Sequence, residues 1–294
     1  MSRVGLDSLN GAPSSEFVGA LGGVFEHAPW IAAAVASRRP FASLAELFGA
    51  MRQAVLESDE ERRLDLLRGH PELAGAAARS GNMTPESVAE QGSAGLDRLP
   101  SRRVALFEEL NRAYRERFGF PFIVCVRRHG SDSLLREFER RVALSVQEER
   151  RTALEEVFRI AALRLDALVD APDRLPVSGR LSTHVLNTAD GVPAEGVAVA
   201  LVELSETGER IVASARTNAN GRTDAALIAD RPIPRATYEL RFGLGDYFRA
   251  RGTPLADLPF LDVVSIRFGV AEPEGHYHVP LAASPWSYST YRGS

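Results

Sequence analysis

The hydrophobic residues of this 294-residue chain keep two different periods, and the change falls within one short stretch. From Ser14 to about Val169 apolar side chains recur every three or four residues, the spacing that collects them on one face of a helix. At Asp170-Ala171-Pro172-Asp173-Arg174-Leu175-Pro176 that pattern stops, because proline removes a backbone donor and clashes with the preceding turn. The polar composition around the prolines reads as a linker over residues 170–177. Beyond it the period falls to two, the signature of strands with one buried face. A helical stripe and an alternating strand cannot share one layer, so the chain is expected to hold an all-α domain over residues 1–169 and an all-β antiparallel sandwich over 178–294. Its length suits two domains.

Local signals refine this division. Ser15 is expected to cap a helix carrying Phe17, Leu21, Val24 and Phe25, with Pro29 as its stop. Ser43 plays the same part for Leu44, Leu47, Phe48 and Met51, and Ser58 stands before the acidic turn Asp59-Glu60-Glu61, which suits the positive end of a helix dipole. The last long helix is expected over Gln147–Leu168, burying Leu154, Val157, Phe158, Ala161 and Leu165. In the second half, Val197–Leu204 and Arg210–Ala213 flank Thr207-Gly208 as a hairpin. Further strands fit Tyr238–Leu244, Asp262–Val270 and His276–Ala283, with a short helix near Asp246–Ala250.

Composition narrows the partners. Lys and Arg number 35 against 39 Asp and Glu, a net charge of -4, and the arginines are interleaved with acids, which argues against nucleic acid and acidic membrane surfaces. Met1–Gly11 lacks a basic-then-apolar leader pattern and no apolar run approaches the ~20 residues that span a bilayer, so the expected compartment is the cytoplasm. Cys125 is the sole cysteine, consistent with a reducing compartment. Flanked by branched aliphatics, it reads as a small core residue; a nucleophilic role would need an electropositive, accessible setting.

His276 and His278 lie two apart on an expected strand and therefore share a face, with Tyr277 opposite. The pair fits ordinary hydrogen-bonded histidines, a metal pair for which His184 is the only further ligand in view, or acid–base chemistry near neutral pH. Three segments decide how the second half is read: Leu181-Ser182-Thr183-His184-Val185-Leu186-Asn187-Thr188, His276-Tyr277-His278-Val279-Pro280-Leu281 and the tail Ser284–Ser294 ending Tyr291-Arg292-Gly293-Ser294. Together they resemble the 5-hydroxyisourate hydrolase family, enzymatic relatives of transthyretin, over about Gly179–Ser294. The resemblance implies an active site made of His184, Arg222 in Thr217–Thr223, His278 and Tyr291 to Ser294, without metal or cofactor, and a tetramer with the site at a subunit interface. Either histidine would be the base, Arg222 would steady the developing oxyanion, and Tyr291 would orient the ring. The family commonly has aspartate where Asn187 stands. A transthyretin-like hormone carrier is the rival, although the terminal Tyr-Arg-Gly-Ser and the histidine pattern disfavour it.

In the first half, Arg68-Gly69-His70-Pro71-Glu72-Leu73-Ala74-Gly75, Ser87–Leu96, Phe118–Arg127 and Ala162–Leu165 follow in order, preceded by Phe25–Trp30 and Arg39-Pro40-Phe41. Taken singly, His70 reads as structural, Glu90 and Arg164 as solvated helix charges, and Phe122–Val126 as core. The ordered series resembles the family of decarboxylases acting on 2-oxo-4-hydroxy-4-carboxy-5-ureidoimidazoline. That resemblance implies His70 as proton donor, Ser87, Glu90 and Gln91 as binding the ureido and ring groups, Pro71 as a further binding residue and Arg164 as holding an anionic or carbonyl oxygen; beside His70, Glu90 would also adjust its pKa. Phe122, Ile123, Val124, Cys125 and Val126 would supply backbone contacts, while His27, Trp30 and His129 stay structural. No cofactor is needed, because the unsaturated ring can delocalise the electron pair left by carbon dioxide. Both resemblances together imply a bifunctional enzyme, homo-oligomeric through both domains, that acts on small molecules and converts 5-hydroxyisourate to S-allantoin. The alternative is one active domain fused to an inactive assembly or ligand-binding module.

Overall fold

The computed structural model describes residues 3–73, 87–88, 90, 92 and 100–293, and its chain divides into two units, Met1–Val126 with Leu134–Val177, and Arg127–Ser133 with Ser178–Ser294. The described helices of the first half are α1 Leu6–Gly11, α2 Ser14–Leu21, α3 Pro29–Val35, α4 Leu44–Leu56, α5 Glu60–Arg68, α6 Ser101–Phe118, α7 Ser131–Val142 and α8 Val146–Leu168. Capping chemistry sets several of their starts. Ser43 accepts from the Glu46 N–H and so begins α4 as expected, and Ser145 with Glu148 forms a reciprocal capping box that starts α8.

Two local expectations are corrected. Ser15 lies inside α2, whose N-cap is Pro13 without a side-chain bond. Pro29 opens α3 at its first turn, where the missing N–H costs nothing, rather than stopping α2. The acidic turn expected after Ser58 does open α5: Asp59 caps it by accepting from the Arg62 N–H, Glu60 and Glu61 stand in its first turn, and Ser58 donates back to the Val55 carbonyl. Between α2 and α3, His27 takes φ 51, a left-handed turn that leaves His27 exposed and Glu26 buried.

The stretch read as a linker is bonded to the first unit through Val177. The Asp173 carboxylate accepts from the N–H groups of Leu44 and Ala45 at 2.8 and 3.0 Å, satisfying orphan donors at the start of α4. Asp166 accepts from the Leu175 N–H at 2.9 Å and pairs with Arg174. Strand β2, Val169–Asp170, runs parallel to β1, Val4–Gly5. The core of this unit joins Phe17, Leu47 and Met51 to Phe107, Tyr114, Phe138, Val157 and Leu165. Arg141, fully buried, pairs with Glu149 and donates to the Ile123 carbonyl at 2.7 Å.

The second unit holds β3 Gly179–Ser182, β4 Val185–Asn187, β5 Val192–Pro193, β6 Ala198–Ser205, β7 Gly208–Arg216, β8 Ile228–Arg231, β9 Thr237–Gly243, helix α9 Leu244–Ala250, β10 Val263–Gly269, β11 His276–His278, β12 Leu281–Ala283 and β13 Tyr288–Thr290. The expected hairpin is β6–β7, within a four-stranded antiparallel sheet ordered β10-β9-β6-β7. The other strands form sheets ordered β11-β3-β8 and β13-β12-β4-β5. Here β11 runs parallel to β3 and β12 parallel to β4, so the sandwich is not antiparallel throughout. Its core joins Leu181, Val199, Leu201, Leu240, Phe242, Tyr247, Phe248 and Leu281. Residues Arg127–Ser133, helical in periodicity, group with this unit: Arg128 forks onto Glu274 at 2.7 and 2.9 Å, and buried His129 is bonded to Ser133 at 2.8 Å.

Two candidate active sites

His70 follows α5 and is 9% exposed. Its Nδ1 lies 2.8 Å from the Leu66 carbonyl, which can only accept, so Nδ1 carries the hydrogen and Nε2 is the nitrogen left for chemistry. Burial pulls the pKa from 6.5 down to about 4; the Leu66 bond and the charge of Glu26 act upward, and Arg164 and His27 act downward. Without ligand, His70 is therefore neutral at neutral pH.

Around it is a cavity of about 40 Å³, bounded by Pro71, Ser87, Glu90 and Arg164 and by an apolar wall that includes Phe122, Ile123, Val124 and Val126. Cys125 does not line it among the described residues: the thiol is buried, and its N–H donates to Glu156 at 2.8 Å. Gln91 lies outside the described residues. Arg164 is not a solvated charge: it lines the cavity and is already engaged there. Its Nε and Nη2 hold Glu90 at 2.9 and 3.0 Å, Nη1 holds Glu26 at 2.6 Å, and Nη2 also reaches Ser87 at 3.2 Å. Sequence reasoning missed Glu26. Its position between Phe25 and His27 gives no periodic signal, and it is buried just before the left-handed turn at His27.

The second site forms where two neighbouring strands are interrupted together. Between β3 and β4 stand Thr183 and His184; between β11 and β12 stand Val279 and Pro280. The breaks are laced by the Val279 N–H to the Ser182 carbonyl at 3.0 Å, the Leu281 N–H to the His184 carbonyl at 2.8 Å, and the Thr183 hydroxyl to the Val279 carbonyl at 2.7 Å. Beside them lies a cleft of about 300 Å³, lined by Arg180, Arg222, Asp224, His276 and His278 among others. His276 and His278 share a side of β11 and Tyr277 is buried on the other, as the alternation predicts. Arg180, the register partner of His276, and Asp224 were not expected there.

His184 stands behind the cleft rather than in its lining among the described residues. Its Nε2 is buried and makes no hydrogen bond among them. The turn Asn218–Arg222 folds over the ring: Asn218 Oδ1 accepts from the Asn220 and Arg222 N–H groups, and the Gly221 carbonyl accepts from the Val185 N–H at 2.8 Å. Gly221 has φ 71, and a Cβ there would lie 2.3 Å from the Val185 carbonyl oxygen and 3.0 Å from the His184 ring. Burial and then the Arg222 cation push His184 below the usual histidine range, with a main-chain bond at Asn220 opposing them. Burial, then Arg222, His184 and His276, do the same to His278, whose Nδ1 is 3.0 Å from the Ser182 hydroxyl.

The tail reaches this site through Gly293. Its N–H donates to the His278 carbonyl at 2.8 Å, and a Cβ on it would lie 2.7 Å from the His278 ring. Tyr291 is 68% exposed and does not line the cleft among the described residues, and Ser294 lies outside them. Asn187 builds the turn after β4, accepting from the Ala189 and Asp190 N–H groups and donating to Tyr247 at 3.1 Å. Its bonds support that turn and not His184.

The family model of OHCU decarboxylase matches residues 10–166, and that of the HIUase/Transthyretin family matches 181–293. The first half is 44% identical to the 2-oxo-4-hydroxy-4-carboxy-5-ureidoimidazoline decarboxylase of Haloferax volcanii, covering 56% of this chain and 96% of that one. The second is 51% identical to the 5-hydroxyisourate hydrolase of Ralstonia nicotianae, covering 40% of this chain and 99% of that one. The chain belongs to both families. A crystal structure of (S)-allantoin synthase matches over 99% of this chain and 100% of its own, at 34% identity and TM-score 0.54. His70 thus lies in the OHCU decarboxylase half, and Arg222 and His278 line a cleft in the HIUase/transthyretin half. Among the described residues no group of three His, Cys, Asp or Glu side chains is placed to hold a metal, and no helix is long and apolar enough to cross a membrane.

Proposed function

We propose that the chain is a bifunctional enzyme of urate breakdown, hydrolysing 5-hydroxyisourate in the second unit and decarboxylating the ureidoimidazoline product to S-allantoin in the first. The observation that carries this reading is the full-length match to (S)-allantoin synthase, with both halves in order on one chain.

In the hydrolase site the base must be neutral at working pH, and burial with the Arg222 cation keeps both imidazoles so. His278 faces the cleft and is the group to take a proton from the attacking water, while Arg222 offers a planar fork to the oxyanion. Gly293 backs the His278 ring, and Tyr291 and Ser294 remain contributors to substrate binding. In the decarboxylase site, His70 Nε2 protonates the ring carbon from one side and so fixes the hand of the product. Ser87, Glu90, Gln91, Arg164 and the wall Phe122–Val126 hold the substrate. For Cys125 the contribution is its backbone, since the thiol is buried.

We also place the enzyme in solution as a homo-oligomer. Val263 on edge strand β10, and Trp286 and Tyr288 at edge strand β13, are 56%, 62% and 47% exposed, apolar side chains on two sheet edges that further copies would cover. A single buried thiol, Cys125, suits the cytoplasm.

The test is to generate 5-hydroxyisourate with urate oxidase, add the chain, and follow ultraviolet decay together with circular dichroism of the allantoin. Rapid decay with one-handed product is the expected result. Fast loss of the first species with slow, racemic allantoin would leave only the hydrolase; no acceleration of either step would overturn the reading.

A further inference from the structure

One buried acid in the decarboxylase half has no part in the roles above. The Glu26 side chain is 1% exposed. Its Oε2 accepts from Arg164 Nη1 at 2.6 Å and from the Ser87 hydroxyl at 3.2 Å. The same guanidinium is engaged on another side by both oxygens of Glu90. Among the described residues one guanidinium is thus shared by two carboxylates, in a setting where charge is poorly screened.

His70 shares this setting. Among the described residues the charged groups acting on it are Glu26 and His27 from the turn between α2 and α3 and Arg164 from α8, with Glu90 on the cavity wall. Of the two carboxylates it is Glu26 that acts on the imidazole in the upward direction. Glu90 takes two bonds from the same guanidinium.

The reaction consumes a proton. The bond between ring carbon and carboxylate breaks, carbon dioxide leaves, and the electron pair stays on the ring until it forms a C–H bond with the proton of the His70 imidazolium. His70 is then neutral and is recharged from solvent. The site must therefore let a buried imidazole become charged once per turnover, against the desolvation that burial imposes.

We propose that Glu26 is a positioning residue for this decarboxylation: held by Arg164 and Ser87, its buried negative charge favours the imidazolium of His70 and sets the pH range in which the half works. The inference rests on the decarboxylase reading above.

The test compares wild type, Glu26→Gln and Glu26→Asp as full-length chains, measuring formation of one-handed allantoin against pH, with hydrolysis of 5-hydroxyisourate by the same samples as an internal standard. An opposite charge within about 4–6 Å shifts a pKa by about 1 unit or more. In Glu26→Gln the basic limb of the decarboxylation profile is expected to move to lower pH by that amount, so that the rate on that limb falls about tenfold or more. Hydrolysis is unchanged. Glu26→Asp, which keeps the charge, holds the limb near its wild-type position whatever its maximum rate.

A Glu26→Gln profile equal to wild type, or lowered by the same factor at every pH, would overturn the proposal, as would a limb that moves equally in both variants. If the Gln variant does not fold, a wild-type limb position in Glu26→Asp supports the proposal and a moved limb overturns it. A wild-type chain that never yields one-handed allantoin would instead overturn the decarboxylase reading, and this proposal with it.

Discussion

His70 and His278 are the same side chain in opposite situations. The first is enclosed among helices, beside a cavity of about 40 Å³, and burial holds it near pKa 4. The second lines an open cleft of about 300 Å³ at a break in a strand, and both burial and a neighbouring arginine hold it down. For a base the downward shift serves the chemistry. For an acid it is an obstacle that buried carboxylates must offset. Burial alone does not assign a role; the sign of the surrounding charge does.

The largest effect should separate the two units. His70→Asn is expected to slow formation of one-handed allantoin by about 100- to 10,000-fold and leave hydrolysis intact, whereas His278→Asn does the reverse. Rates of both steps in each variant check this, and a variant that impairs both steps equally would break the comparison.

Acid stability is next. Unfolded His70 takes up a proton below pH 6.5, but the folded residue does so only near 4, so the unfolded state binds more protons in that window and stability falls as pH drops through it. This residue alone accounts for on the order of 3 kcal/mol. Chemical denaturation of the first unit between pH 7 and 4 should show the slope, and His70→Asn should flatten it.

Gly221→Ala forces a side chain into the φ 71 position and against the Val185 carbonyl. The expected cost is about 1–3 kcal/mol in the second unit, together with loss of hydrolysis as the turn over His184 shifts, read from thermal unfolding and rate. Arg222→Gln removes a cation that depresses both imidazoles. They rise, more of each is protonated at a given pH, and the acid limb of hydrolysis moves to higher pH. Arg222→Lys keeps the limb in place with a lower rate. Smallest is Asp173→Ala, which strips the Leu44 and Ala45 donors of their acceptor and should cost the first unit about 1 kcal/mol without touching either activity.

The change of period was legible because it is a property of consecutive residues, and so were the β6–β7 hairpin, α8 and the Ser43 cap. Errors arose where one residue type has two uses. Pro29 can stop one helix or open the next, and its place eight residues beyond Leu21 gives the second. The prolines of residues 170–177 end α8, but the bonds of Asp173 to α4 join positions 128 and 129 residues apart, which no local pattern reveals. At the sites, His70, Arg164, Arg222 and His278 were found through resemblance. Glu26 and Arg180 were not, because a charged residue in a turn or on a strand looks like any surface charge until the fold closes over it.

The paired breaks at Thr183-His184 and Val279-Pro280 make hydrolysis a test of how the sandwich was assembled. Were β11 to settle against β3 one residue out of step, Tyr277 would turn toward the cleft and His278 into the core, while much of the sheet's hydrogen bonding could still form. Such a molecule could look folded by its secondary structure and still be silent in the assay. Activity per mole of this half thus counts correctly threaded copies.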